Sequence, residues 1–379
     1  MKRVVLIKSK AKTKGGLEKV FSRIASRFIS KGAELTVLTD DKLGDDRPDL
    51  NIRIAPLSPI SWPPSLRLAQ FDRQIRSFLA KHPADIIFGM DRSRNQTHYR
   101  AGNGVHSAFL ESRRRSEGAL KYAACLCNPM HRSILNLEKD LFESQGLRKI
   151  FTNSNMVKNQ ILERFSIDAS KIQTIHNGVE WKEFAAPFHV WAQKKEELCR
   201  SFQLDPNSFF FLFIGNGYLR KGLLELFKAL SKIKERNFTC LVVGKDRHVE
   251  RYRRAAANLA LQDKIRFFGP RQDVISFYQI ADVLCIPSFY DPFANVTVEA
   301  LAMGLYVLSS QDNGGKEILT PGANGEILPN IQDPDSFAQY LLEVTKHPKT
   351  LQSAPAIRES VRHLDDAHAL DRLIEACYG

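Results

Sequence analysis

The chain has 379 residues, 43% of them hydrophobic and 26% charged, with a formal net charge of +13 at pH 7. That balance excludes a disordered chain, and the length exceeds what one hydrophobic core usually serves, so two domains are expected. No stretch approaches the roughly 18 apolar residues that cross a bilayer, and MKRVVLIKSK carries too short an apolar run for a signal-peptide core, so a cytoplasmic location is expected.

The whole excess of +13 falls in residues 1–190, while residues 191–379 balance. Such asymmetry points one domain toward a polyanion: nucleic acid, an anionic membrane surface or a phosphorylated acceptor. The cysteines (Cys125, Cys127, Cys199, Cys240, Cys285 and Cys377) are scattered, without zinc-ligand spacing. No metal is expected from them.

In chain order, VVLI (4–7) reads as a buried strand. A helix follows over 16–31, with Leu17, Val20, Phe21, Ile24, Phe28 and Ile29 at helical spacing and Gly32 as its stop. LTVL (35–38), a helix over 65–81 and DIIFG (85–89) continue the alternation. Residues 149–152 form a strand, followed by a helix capped near Ser154, and KIQTIHNG ends a further strand at the turn Asn177-Gly178. Residues 186–207, with prolines at both ends and mixed charge, mark the junction. A second series then begins: FFFLFIG (209–215), a helix over 223–233, and strands at 238–244, 264–269, 282–287 and 305–310. This is βαβ alternation in both halves, hence an α/β chain of two doubly wound, Rossmann-like domains facing across a cleft at the carboxyl ends of their sheets. The last segment, DAHALDRLIEACYG, is a helix outside the alternation.

Two stretches carry chemistry. GNGYLRKG (215–222) joins the first strand of the second domain to its first helix. It lacks the third glycine of a dinucleotide fingerprint and the spacing of a Walker A loop. Gly215 and Gly217 allow close backbone approach, and Arg220 and Lys221 are adjacent cations at a helix start, a placement the dipole disfavours unless an anion such as a diphosphate sits there. FYDPFANVTVEALAMG (289–304) places Asp291 on a loop and Glu299 in the following helix. The amides of Ala294, Asn295 and Val296 between them suit a phosphate, and each carboxylate suits neighbouring hydroxyls on a sugar or ribose. The one Asp-x-Asp, Asp333-Pro334-Asp335, reads as a helix cap rather than a metal site.

These stretches, with KGGLEKVFSRIASRFISKGAELTVLT, NGVHSAFLESR, TNSNMVKNQI, IHNGVEWKEF, VVGK, FFGPRQDV and YQIADVLCIPS, resemble a GT-B-fold retaining glycosyltransferase of family 4, within it the lipopolysaccharide-core glucosyltransferase I group. The resemblance implies a hexose, glucose first, moved from a UDP-sugar to a phosphorylated lipopolysaccharide core oligosaccharide. No cofactor or essential metal is expected. It implies an acceptor domain at 1–190, a nucleotide-sugar domain at 191–360, and a C-terminal helix (361–379) returning to the first. It also implies roles. Asp291, His106 and Lys221 form the catalytic set, with Asp291 on the donor sugar and Glu299 on the ribose. Arg220, Lys221, Gly15 and Gly16 bind the diphosphate together with the amides of Ala294, Asn295 and Val296; Pro270 and Arg271 touch the nucleobase. Asn103 and the run Arg113, Arg114, Arg115 lie on the acceptor side, and the basic domain meets an anionic membrane at the inner face of the cytoplasmic membrane. Aspartate at 291 departs from the family's usual glutamate and is one methylene shorter, so the loop must come closer to the sugar. The alternatives are a family 4 transferase with another lipid-linked or soluble glycan acceptor and, from charge alone, a nucleic-acid-binding protein. Against the latter, aromatics are not interleaved with the basic runs, and no nucleic acid is expected as partner.

Overall fold

The computed structural model describes residues 1–9, 16–40 and 52–379. The chain forms two compact units, one of Met1–His176 with Ala367–Gly379 and one of Asn177–Asp366.

In the first unit, strands β1 (Arg3–Ile7), β2 (Glu34–Thr39), β3 (Ile52–Pro56), β4 (Ile86–Gly89), β5 (His98–Arg100), β6 (Lys149–Thr152) and β7 (Ile172–Thr174) form one parallel sheet. The order is β3-β2-β1-β4-β5-β6-β7. Val4 to Ile7 are buried, as strands covered by helices on both faces require. The helix Gly16–Ser30 turns Phe21, Ile24 and Phe28 onto the sheet, and Gly32, at φ 76°, ends its turn as expected. Onto the same core the helix Asp366–Tyr378 lays Leu370, Leu373, Ile374 and Cys377. Arg27 pairs with Asp371, and the Lys2 ammonium donates to the Tyr378 carbonyl at 3.0 Å. The apolar stripe read in DAHALDRLIEACYG is thus this unit's last layer.

The second unit holds β8 (Phe209–Ile214), β9 (Phe238–Val243), β10 (Ile265–Gly269), β11 (Val283–Ile286), β12 (Tyr306–Ser310) and β13 (Gly325–Leu328), also parallel, in the order β10-β9-β8-β11-β12-β13. The order reverses between β8 and β11, so the loops leaving those two strands diverge around a switch point.

The boundary lies earlier than the expected 186–207. Trp181, Phe188 and Trp191 are buried in the core of the second unit, and the Arg358 guanidinium sits 4.1 Å from the Trp181 ring and 4.7 Å from the Phe188 ring. Mixed charge and two prolines suggested a linker; the buried rings of Phe188 and Trp191 make the segment part of a core. The unit begins at the Asn177-Gly178 turn, where the Val179 amide donates to the Leu364 carbonyl and the Asp366 amide to that of Val179. Its end at Asp366 replaces the expected 360.

Candidate functional site

The turn after β8 and the loop after β11 are tied together by backbone. Gly222 caps the helix Leu223–Lys232 at φ 72°, and a β-carbon there would lie 1.8 Å from the Pro287 carbonyl oxygen, so only glycine fits. The Phe289 amide donates to the Arg220 carbonyl at 2.9 Å. This contact brings Arg220 and Lys221 to Asp291. Lys221 Nζ lies 2.5 Å from Asp291 Oδ2, and Arg220 Nη1 lies 3.2 Å from the same oxygen while donating to the Tyr290 carbonyl at 2.8 Å. The side chains of Asp291 and Lys221 are 10% and 11% exposed, that of Arg220 37%. Burial pushes the Asp291 carboxyl upward, but Lys221 and Arg220 outweigh it and hold the group below the ordinary carboxylate range. It is an anion clasped by two cations, and removing a partner from such a buried pair costs about 3–5 kcal/mol.

Backbone amides enter differently from the expectation. The amides of Gly215 and Gly217 donate to the carbonyls of Val243 and Lys245, so they are taken within the unit. The Ala294 amide is likewise taken: it donates to Oδ1 of Asn313, which also accepts from Gly315, both at 3.0 Å. Asn313 is fully buried and donates through Nδ2 to Ser309 at 2.9 Å. A side chain from after β12 therefore caps the helix Asn295–Ala302 from outside its own loop. Asn295 and Val296 stand in the first turn, where helix amides have no carbonyl four residues back; the Asn295 side chain accepts from Asn177 at 2.7 Å. Glu299 is half-buried, and its Oε2 accepts from the hydroxyl of Tyr278 at 2.7 Å.

Pro270 and Arg271 are exposed beyond β10, and the Arg271 side chain turns back to the Phe268 carbonyl at 3.2 Å. Asp333 is a cap: its carboxylate accepts from the amides of Asp335 and Ser336 at 3.1 Å.

In the first unit, His106 opens the helix His106–Glu117. Its amide donates to both oxygens of Glu138 at 3.0 Å, and Glu138, fully buried, also takes the Arg92 guanidinium at 2.9 Å. Arg92 reaches on to the Gly104 carbonyl at 2.9 Å, so one buried ion pair sets the loop before His106. The ring Nε2 lies 3.0 Å from Nδ1 of His131. Burial, then Arg92 and His131, lower the His106 pKa from the ordinary 6.5 to about 4, so the ring is neutral at neutral pH. Asn103 is exposed on that loop. Of the arginine run, Arg113 pairs with Glu117 on its own helix, and Arg114 and Arg115 are exposed. Gly15 lies outside the described residues, and Gly16 opens the first helix.

The structure thus brings Arg220, Lys221 and Asp291 together and sets Asn295, Val296 and Glu299 on the helix that follows the Asp291 loop. Sequence reasoning missed Asn313, Tyr278, Glu138 and Arg92. The signal for Asn313 is the turn DNGG directly after a buried strand; that for Glu138 is a carboxylate between Leu137 and Leu141 on the apolar face of a helix.

Comparison with known proteins follows this division. Residues 194–359 match the family model for glycosyl transferases group 1, and residues 14–182 that for glycosyltransferase family 4. The chain is 27% identical to the uncharacterized glycosyltransferase MJ1607 of Methanocaldococcus jannaschii, over 86% of this chain and 83% of that one. It is 24% identical to the lipopolysaccharide glucosyltransferase WaaG of Escherichia coli strain K12, over 95% and 93%. A crystal structure of WaaG superposes with a TM-score of 0.81 at 20% identity, covering 99% of this chain and 100% of that one. Anabaena Alr3699/HepE in complex with UDP-glucose superposes at 0.69 and 16% identity, covering 99% of each. At these identities the superpositions speak for the fold, which is GT-B.

Buried His98 and half-buried His106 set a pH dependence. Unfolded imidazole gains its proton near 6.5, whereas folded His106 and His98 resist it down to about 4. The unfolded state binds more protons in that window, so stability present above about pH 6.5 falls as pH drops toward 4. Denaturant titrations at stepped pH should show this slope, and it should flatten in His106→Gln; an unchanged slope contradicts the assignment.

Proposed function

We propose that this glycosyltransferase, whose residues 14–182 match the family 4 model and residues 194–359 the group 1 model, moves glucose from UDP-glucose to a lipopolysaccharide core oligosaccharide with retention at the anomeric carbon and without a metal ion. The observation that carries the reading is the convergence of Lys221 and Arg220 on one oxygen of Asp291. Two cations beside a single carboxylate leave an excess of positive charge at the switch point, where open α/β sheets take their ligands.

In this reading the donor's diphosphate draws Arg220 as a planar fork and Lys221 as a point charge, with the amides of Asn295 and Val296 adding donors. Asp291, held ionised by Lys221, accepts from hydroxyls of the donor sugar, and Glu299 accepts from the ribose. Pro270 and Arg271 lie against the nucleobase. As the bond from the anomeric carbon to phosphate breaks, positive charge spreads over the sugar ring and negative charge over the leaving diphosphate. Arg220 and Lys221 stabilise the latter where charge develops, a role a divalent ion fills elsewhere. The acceptor oxygen attacks from the face the diphosphate leaves, and a diphosphate oxygen takes its proton. His106, neutral, is a hydrogen-bonding group for a hydroxyl of the hexose. Glucose and the lipopolysaccharide acceptor are supported by the likeness to WaaG, and the UDP-sugar by the ligand in the HepE structure.

The excess of +13 within residues 1–190 and the exposed Arg114 and Arg115 favour a phosphorylated glycolipid on an anionic inner leaflet, where each nearby cation gains about 1 kcal/mol. Among the described residues no helix is long and apolar enough to cross a membrane, so the attachment proposed is peripheral.

Two experiments test this. Purified enzyme with UDP-glucose and the truncated core glycolipid should form an α-linked glucoside, read by NMR, at a rate that survives EDTA. A β-linked product refutes retention, loss in EDTA refutes metal independence, and transfer only to another glycan moves the chain to a different acceptor. Flotation with anionic liposomes should carry the protein upward at low salt and less so at high salt; absence of binding at low salt refutes membrane attachment.

A further inference from the structure

The hydroxyl that meets Glu299 belongs to Tyr278, a fully buried side chain on the helix Ile275–Ile280 directly before β11. A buried tyrosine hydroxyl requires a partner, and here the partner is the carboxylate read above as the ribose ligand. The bond is 2.7 Å long, an ordinary length for a hydroxyl donating to a carboxylate oxygen. Burial, then Glu299 itself, raise the Tyr278 pKa well above its ordinary value, so the group stays protonated and can only donate to that oxygen. Tyr278 is fixed in turn. Lys349, 5% exposed, donates from Nζ to the Tyr278 carbonyl at 2.9 Å and lies 4.3 Å above the Trp191 ring. The Phe184 ring stands 6.4 Å from the Tyr278 ring, its centroid within aromatic contact range. A lysine this deep is costly, and it is spent on the backbone of the residue that holds Glu299.

We infer that Tyr278 is a positioning residue that sets the carboxylate plane of Glu299 for the ribose, with Lys349 holding Tyr278 in place. The inference rests on the ribose role of Glu299. A carboxylate offers about four acceptor sites, so the hydroxyl on Oε2 constrains the carboxylate plane while using only one of them. A tyrosine present only to fill the core would satisfy its hydroxyl equally well, but its loss would not alter how the enzyme reads the ribose.

The test compares binding of UDP and of 2′,3′-dideoxyuridine diphosphate by titration calorimetry. Wild-type enzyme should prefer UDP by ~10-fold or more, since a hydrogen bond to a charged group is at stake. Glu299→Gln should erase most of that preference. Tyr278→Phe, which keeps the ring, should reduce it to about threefold or less by weakening UDP alone, and should raise KM for the sugar nucleotide with little change in kcat, because ribose contacts are the same before and during reaction. Lys349→Met should lower the preference in the same direction. Dideoxy binding reports folding in each variant. If Glu299→Gln leaves the preference intact, the ribose reading fails and the inference with it. If Glu299→Gln erases it while Tyr278→Phe and Lys349→Met keep the wild-type ratio, the ribose reading stands and the positioning role is overturned.

Discussion

A carboxylate cannot stay ionised in a protein interior without compensation, and in the second unit that constraint falls on Asp291. Its side chain is one-tenth exposed, and what keeps it charged is Lys221 at 2.5 Å and Arg220 at 3.2 Å. Those cations come from the loop after β8 and the carboxylate from the loop after β11, so the ion cluster closes the switch point from both sides. Gly222 permits the approach, because any β-carbon there would run into Pro287. Asn313 then anchors the start of the next helix, with two amides on one oxygen and Ser309 on its nitrogen. Site and scaffold are the same set of contacts.

The first unit solves a similar problem with another pair. Arg92 and Glu138 are buried together, and Glu138 uses its oxygens on the His106 amide as well as on the guanidinium. A loop that would otherwise depend on weak turns is thereby pinned from a distant helix, and the imidazole it carries is kept neutral. Both units place polar chemistry where strands end, and both hold it there with a charge pair shielded from water, where it is screened least.

How far this was legible beforehand depends on range. Apolar runs such as FFFLFIG and LTVL announce strands because parallel sheets bury both faces, and the Ser154 cap is visible because capping acts over three residues. The strand His98–Arg100 is short and polar and gives no such signal. Arg220, Lys221 and Asp291 were readable as residues, from their motifs, but not as one cluster, since 70 residues separate the bonded pair Lys221 and Asp291. The same limit hid Asn313 behind Ala294 and Tyr278 behind Glu299. It also produced a misreading: the Ala294 amide looked available, and the side chain of Asn313 had already taken it. The segment 186–207 misled for a different reason, since aromatic residues such as Phe188 and Trp191 among mixed charges resemble a linker until the core they fill is known.

The central claim is that Lys221 and Arg220, clasped on Asp291, form the diphosphate site of the donor. Its most direct test is calorimetric binding of UDP and of UMP to wild-type enzyme and to Lys221→Met. The claim predicts that UDP weakens by about 30-fold or more, as loss of a charge-assisted contact to the second phosphate requires, while UMP changes little. Equal affinities for UDP in the two proteins, or parallel losses for UDP and UMP, would contradict it.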